Sequence, residues 1–364
     1  MAAEKINIER FLELAKQHPV FDVRSPGEYD HAFIPGAKSL PLFTNEERAL
    51  IGTAYKQESR EKAIKIGLDF FGPKMKKMVE EVESVISSQL TGGNETLKLQ
   101  TANCILVYCW RGGMRSGAVS WLLDLYGFKV YTLVGGYKKF RHHVLNSFKK
   151  EYPFKILGGY TGAGKTEVLK ELKKNGKGII DLEDIAKHKG SAFGNINMPK
   201  QPTQEMFENL LSVELEIATR NNNDAIWLED ESQRIGLVNV PGDLWKTMRK
   251  SPICFLDIPF EERLNHIVDE YGKFEKEKMI DAIGRIRERL GGLEAKNAIM
   301  LLESNNTIES FRILLKYYDK WYLKGLHNRE NINSLLHLIK CDSVTTENAN
   351  RLLSSHQYHE TTSA

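Results

Sequence analysis

Short apolar runs alternate with amphipathic stretches along the whole chain, a pattern that predicts an α/β protein built on parallel sheets. In the first half, Pro19–Val23, Cys104–Tyr108 and Lys129–Leu133 read as strands. Met114–Tyr126 and Tyr137–Lys149 read as helices, and Lys74–Ser88 carries the i, i+4 charge pattern of a surface helix. A second series begins at Phe154, with strands at Lys155–Leu157, Gly178–Ile180, Ala225–Leu228 and Ile253–Leu256. Its helices are expected near 165–174, 202–220, 261–271 and 275–290. The two series meet at 148–154, around Pro153, with almost no linker. The pattern thus predicts domains over 1–150 and 151–340. A polar tail over 341–364, rich in Ser, Thr, Asn and His, is expected to fray.

Composition narrows the class. The chain has 364 residues, 41% of them hydrophobic and 27% charged, enough for two domains with cores of their own. These figures exclude collagen, coiled-coil and disulfide-scaffold classes. No run approaches the ~20 apolar residues of a membrane span. The N-terminus, MAAEKINIERF, has charges where a signal peptide needs an apolar run, so a soluble, cytoplasmic protein with no membrane partner is expected. Four cysteines (Cys104, Cys109, Cys254, Cys341) form no CxxC pair and no zinc spacing, and read as free thiols, Cys104 in the core. His356 and His359 lack further candidate ligands nearby, so no metal site is expected there.

Charge is uneven. Residues 1–150 hold 22 Lys and Arg against 16 Asp and Glu, whereas residues 151–364 hold 29 against 32. Between Leu125 and Lys150 lie six basic residues and no acid, with His142 and His143 besides. Such a run is either a solvated helix face or a dock for a polyanion. Lys138, Lys139 and Arg141, near the start of a helix, are its candidate phosphate contacts.

Two loops carry chemistry. In Tyr108-Cys109-Trp110-Arg111-Gly112-Gly113-Met114-Arg115-Ser116, a strand ends at Tyr108 and a helix starts near Met114. The glycines let successive N–H groups turn inward, making an anion nest closed by the helix N-terminus. That field, with Arg111 and Arg115 close by, is expected to lower the thiol pKa of Cys109. Cys109, Arg111 and Arg115 are therefore the candidate catalytic residues.

The second loop, Gly159-Tyr160-Thr161-Gly162-Ala163-Gly164-Lys165-Thr166, fits G-x-x-x-x-G-K-[ST] and sits between a strand and an amphipathic helix. Its amides cradle a diphosphate, Lys165 compensates the charge, and Thr166 can ligate magnesium. Glu229 and Asp230, at the end of a later strand, are candidate acidic partners. The loop itself speaks for polyphosphate binding and not for nucleotide hydrolysis.

Phe21-Asp22-Val23-Arg24-Ser25-Pro26-Gly27-Glu28-Tyr29, His31 and Ile34-Pro35-Gly36-Ala37 resemble the N-terminal signature of rhodanese domains. Rhodanese loops commonly place four residues between cysteine and arginine, whereas five separate Cys109 from Arg115 here. The longer loop is also that of tyrosine phosphatases, and it suits a tetrahedral oxyanion. A rhodanese-like domain abutting a P-loop NTPase-like domain with a helical C-terminal part resembles the tRNA 2-selenouridine synthase family. Further stretches carry the resemblance: Gly52 to Gln57, Leu133 to Lys138, Pro202 to Glu205, and Glu229 through Gly236.

The resemblance implies a transferase that replaces the sulfur of wobble 2-thiouridine by selenium through an S-geranyl intermediate. Geranyl diphosphate would sit at the P-loop and selenophosphate at the loop Cys109 to Arg115, tRNA being the macromolecular partner. No tightly bound cofactor is expected. A rhodanese-type sulfurtransferase with an accessory nucleotide-binding domain, a phosphatase–kinase fusion and a non-catalytic tRNA-binding scaffold stay open as alternatives.

Overall fold

The computed structural model describes residues 3–90, 103–221 and 225–360, and divides into two compact units between Ser147 and Phe148. The first unit runs β1 (Glu4–Ile6), α1 (Ile8–Leu14), β2 (Val20–Asp22), α2 (Pro26–His31), β3 (Lys38–Ser39), α3 (Asn45–Gln57), α4 (Arg60–Phe71) and α5 (Met75–Leu90). It continues with β4 (Cys104–Tyr108), α6 (Met114–Tyr126), β5 (Lys129–Leu133) and α7 (Gly136–Ser147). Its five strands are all parallel, in the order β1-β5-β4-β2-β3. Ile105 to Tyr108 of β4 are fully buried, because helices cover both faces of a parallel sheet. From β4 the chain crosses to β5 on one side, while β2 and β3 lie on the other. The segment after β4 therefore opens at the point where strand order reverses, at the carboxyl edge where α/β sheets bind ligands.

The second unit runs β6 (Phe154–Gly159), α8 (Lys165–Lys174), β7 (Gly178–Ile180), α9 (Leu182–Ala186), α10 (Gln204–Asn221) and β8 (Ile226–Glu229). A small antiparallel pair follows, β9 (Arg234–Ile235) and β10 (Val238–Asn239), then α11 (Gly242–Lys250), β11 (Ile253–Asp257) and α12 (Phe260–Tyr271). The C-terminal part is α13 (Lys276–Leu290), α14 (Gly292–Glu303), α15 (Thr307–His327), α16 (Ile332–Leu335), β12 (Leu336–Lys340) and α17 (Asn348–Glu360). A second parallel sheet has the order β12-β11-β6-β8-β7, with β6 central and the reversal again beside it. Helices α12 to α15 share an apolar core that includes Leu264, Ile283, Leu302 and Leu315. Among the described residues, no helix is long and apolar enough to cross a membrane.

Two expectations change. The region after 341 is not a frayed tail through its described length. Ala349 and Leu352 of α17 are fully buried in one cluster with Leu169 and Leu172 of α8, and Asn348 ties the helix start to the Ser343 carbonyl at 2.9 Å. Ala349 and Leu352, with the partly buried Leu353 beside them, dock a helix that the polar composition had hidden. The side chains of His356 and His359 and residues 361–364 lie outside the described residues. Cys104 is only half-buried at the start of β4, since the strand's first residue lies beyond the helices that cover its middle.

Candidate functional site

Beneath the cysteine loop lies a buried polar cluster that explains the Asp-Val-Arg signature. Arg24 is 1% exposed and pairs with Asp22, Nη2 to Oδ2 at 2.6 Å, while donating to the Ala32 carbonyl at 2.7 Å. The Tyr108 hydroxyl donates to Asp22 at 2.8 Å and accepts from the Ile34 N–H at 3.1 Å. The Arg24 guanidinium stacks 3.9 Å from the Tyr137 ring centroid. Every strong polar group here has a partner. Removing one member of such a buried pair costs about 3–5 kcal/mol, so the floor of the loop is rigid.

The loop itself is pinned from β5 and α7. Tyr137 N–H donates to the Cys109 carbonyl at 2.8 Å and Lys138 N–H to that of Trp110 at 3.0 Å. A Cβ on Gly136 would stand 2.2 Å from the Cys109 carbonyl oxygen, and one on Gly112 would stand 2.4 Å from the Leu133 carbonyl. Both glycines also have positive φ, +57° and +65°. The Val-Gly-Gly-Tyr stretch is thus the roof of the cysteine loop.

Cys109 is 3% exposed, with Sγ 3.2 Å from the Ser116 hydroxyl and 3.4 Å from Gly113 N–H. Burial pushes its thiol pKa up, but the Ser116 hydroxyl and the N–H groups of Ser116, Gly113 and Arg111 outweigh burial and hold it below the ordinary value. The contrast is Cys254, which burial pushes up to about 12 against the opposing charge of Lys155.

The arginines do not act as expected. Arg115 turns to Glu28, Nη1 to Oε2 at 2.6 Å and Nη2 to Oε1 at 3.3 Å, so its charge meets a carboxylate before any ligand. Glu28 also takes the Arg48 Nε at 3.2 Å and caps α2 through the Ser25 N–H at 3.1 Å. Burial opposes its ionisation, yet Arg115 and the other donors hold its pKa at about 2. The Arg111 side chain is exposed, and Trp110 and Met114, 38% and 52% exposed, stand at the surface of the same loop. Glu28 and Arg48 were not among the expected site residues, although Glu28 lies within the quoted signature. Lys138 and Lys139 lie on the exposed face of α7, and Arg141 is half-buried there. The opposite face holds Tyr137, Phe140 and Val144 in the core.

In the second unit the glycine loop wraps the N-terminus of α8. Gly162 and Gly164 have φ of +81° and +69°, and a Cβ on either would strike Ile267 or Val344 at 2.7 and 2.5 Å. Lys165 Nζ donates to the Gly159 carbonyl at 3.1 Å, folding over its own loop. Arg263, paired with Asp319 through two bonds of 2.9 and 2.8 Å, donates at 3.1 Å to the Thr161 carbonyl. That bidentate pair fixes the loop from α12 and α15.

Thr166 donates to Glu229 at 3.0 Å, as the expected acidic partner requires. Asp230 does not join it. Its carboxylate faces the other way, accepting the Tyr322 hydroxyl at 2.7 Å and bonding Arg329, because neighbouring residues at a strand end point to opposite faces. Tyr322 in turn accepts the Gly159 N–H at 3.2 Å, so Asp230 supports the P-loop through a tyrosine. The acids that gather beside Thr166 are Glu183, Glu229 and Glu231, each with an oxygen within 4.8 Å of the others. Burial pushes all three carboxyls up, and the Glu229 charge raises Glu183 and Glu231 further; Lys165 offsets part of this.

A cavity of about 620 Å³ opens from residues Thr161–Glu167 and is walled by Tyr271, Tyr317, Tyr318, Trp321 and Tyr322. The aromatic run Tyr317 to Tyr322 on α15 carried no motif, and only its i, i+4 spacing on one helix face could have flagged it.

Comparison with known proteins agrees with this division. A Rhodanese-like domain matches residues 7–143, and a domain described as the tRNA 2-selenouridine synthase AAA domain matches residues 152–337. The fold and its two loops therefore define a rhodanese-like domain followed by a P-loop domain. Relatives match over most of the chain. A tRNA 2-selenouridine synthase of Nitrosomonas eutropha is 30% identical, covering 86% of this chain and 89% of its own. That of Bdellovibrio bacteriovorus is 31% identical over 90% and 94%, and that of Aeromonas salmonicida 32% over 85% and 88%. The chain belongs to the tRNA 2-selenouridine synthase family.

Proposed function

We propose that this chain is an enzyme that modifies tRNA, exchanging the sulfur of wobble 2-thiouridine for selenium in two steps. Supporting it most directly is one observation: the cavity joins a diphosphate cradle to an aromatic wall. A prenyl diphosphate has that polarity, an anionic head on an unsaturated apolar chain. In the first step the thiocarbonyl sulfur of the uridine attacks C1 of geranyl diphosphate. The C–O bond breaks, pyrophosphate leaves with the electron pair, and the base loses its N3 proton. The amides of Gly162 to Thr166 and the Lys165 ammonium stabilise the charge that grows on the leaving group.

In the second step a nucleophile attacks the phosphorus of selenophosphate, and the P–Se bond breaks with its electron pair going to selenium. The released hydroselenide adds at C2 as the geranyl thiolate departs, its proton passing to N3. The loop from Cys109 to Arg115 presents N–H donors at the size of one tetrahedral anion, and the thiolate of Cys109 is the nucleophile that takes the phosphoryl group, which water then removes as phosphate. Magnesium fits the other loop: Thr166 and Glu229, with Glu183 and Glu231, offer the hard oxygen ligands it takes. When bound, it would supply positive charge to the diphosphate.

The test is mass spectrometry of tRNA nucleosides after incubation with geranyl diphosphate and selenophosphate. Cys109→Ala is expected to stop at S-geranyl-2-thiouridine, and Lys165→Ala to form neither product while still binding tRNA. Selenouridine formed undiminished by Cys109→Ala refutes the role given to the thiol.

A further inference from the structure

Part of the cavity wall serves neither the P-loop nor the aromatic slot. It is built by Trp245 and Arg249 of α11 with Gly325, Leu326 and Asn328, and Arg329 lies outside its lining. Arg329, its side chain 2% exposed, gives Nη2 to Asp230, yet its buried Nε and Nη1 have no partner. Arg249 lines the cavity one turn after Trp245 and donates through Nη1 to the Gly325 carbonyl at 3.1 Å. No carboxylate lies within ion-pair distance of Arg249 among the described residues. Among the described residues Asp230 is the one carboxylate acting on both guanidiniums, while Glu183, Glu229 and Glu231 line the same cavity on the P-loop side. Burial and the neighbouring Arg329 push the Arg249 guanidinium below its ordinary value, with Asp230 opposing.

The third observation is Trp245, which lies against the Arg249 guanidinium at 5.2 Å and lines the same cavity. Its indole N–H is buried without an acceptor. Each unsatisfied buried donor costs about 1–3 kcal/mol, so such donors gathered at one place call for a ligand that supplies acceptors. An anionic oxygen group answers both the unmatched charge and the unmatched N–H.

We propose that Arg249 and Trp245, with Arg329 behind them, form a second anion seat that takes a phosphodiester of the RNA substrate. The choice of RNA rests on the function proposed above. The P-loop already receives the diphosphate in this cavity, and the uridine sulfur must reach the carbon attached to it. A nucleotide entering the same cavity brings its own backbone phosphate. Arg249 then fixes the nucleotide by its backbone, which sets position rather than sequence choice.

The test uses the full chain and an anticodon stem–loop RNA bearing 2-thiouridine, titrated at several salt concentrations. Arg249→Gln is expected to weaken binding about tenfold and to flatten the plot of log affinity against log salt by about 0.7, the contribution of one single-stranded phosphate. Trp245→Phe, which removes the indole N–H and shrinks the ring while keeping an aromatic face, is expected to weaken binding about threefold with the slope kept. Pyrophosphate affinity, read by calorimetry, stays unchanged in both variants.

Wild-type affinity and slope in Arg249→Gln overturn the proposal. So does calorimetry in a Lys165→Ala background in which inorganic phosphate binding depends on Arg249 while RNA binding does not, because the seat then serves free phosphate. If the RNA effects hold but no geranylated nucleoside forms in the wild type, the proposed reaction fails and the seat stands.

Discussion

Glu28 is the residue on which the first unit's loop chemistry can be tested by stability. Its side chain is 14% exposed, and Oε2 meets Arg115 at 2.6 Å, Arg48 at 3.2 Å and the Ser25 N–H at 3.1 Å. Folding lowers its pKa from 4.5 to about 2. At about 1.4 kcal/mol per unit, that fall contributes roughly 3 kcal/mol of stability at neutral pH. Because the folded value is the lower one, the contribution is complete above about pH 4.5 and is lost as pH falls toward 2. Glu28→Gln keeps an amide oxygen for the cap but removes the charge facing Arg115. It is expected to cost about 2–3 kcal/mol at pH 7. The difference from wild type should then narrow steadily below pH 4.5. Urea unfolding of both proteins at a series of pH values measures it. An offset that stays constant from pH 7 to pH 3 refutes the charge argument and leaves Glu28 a simple cap.

Three further outcomes are expected. Ser116→Ala removes the hydroxyl beside Sγ, so the pH midpoint of Cys109 alkylation by iodoacetamide moves up toward the ordinary thiol value; an unmoved midpoint assigns the shift to the backbone N–H groups alone. Gly112→Ala places a Cβ against the Leu133 carbonyl in a left-handed conformation, and should lower stability by about 1–3 kcal/mol, read by thermal unfolding. Neutralising Lys138, Lys139 and Arg141 together is expected to weaken tRNA binding and flatten its salt dependence, read by filter binding, while pyrophosphate affinity stays the same.

Much of the fold lay open in the sequence because its strands are buried on both faces and therefore read as unbroken apolar runs, as at Ile105 to Tyr108. The P-loop was legible because its chemistry is local: strand, glycines, Lys165 and Thr166 occupy one continuous stretch. Contacts made across the fold were not. That Arg115 would meet Glu28, that Asp230 would meet Tyr322 and Arg329, and that Glu183 would join Glu229 depends on which strands neighbour one another. The docked helix α17 was hidden for a related reason. A few apolar positions, Ala349, Leu352 and Leu353, decide its burial against a background of polar residues, and a composition average does not weigh them.

The roof over Cys109 has a consequence for the order of assembly. During synthesis the thiol emerges well before Gly136 and Tyr137, whose backbone closes over the loop. Until β5 has paired beside β4 and the turn into α7 has formed, Cys109 is an ordinary, accessible cysteine. Arg111, Gly113 and Ser116 supply the donors that lower its pKa, and the loop shape that aims them at Sγ is fixed only when the last helix of the unit is in place. Thiol reactivity toward a bulky reagent therefore reports completion of this unit, and a nascent chain arrested before Tyr137 should label readily where the finished one does not.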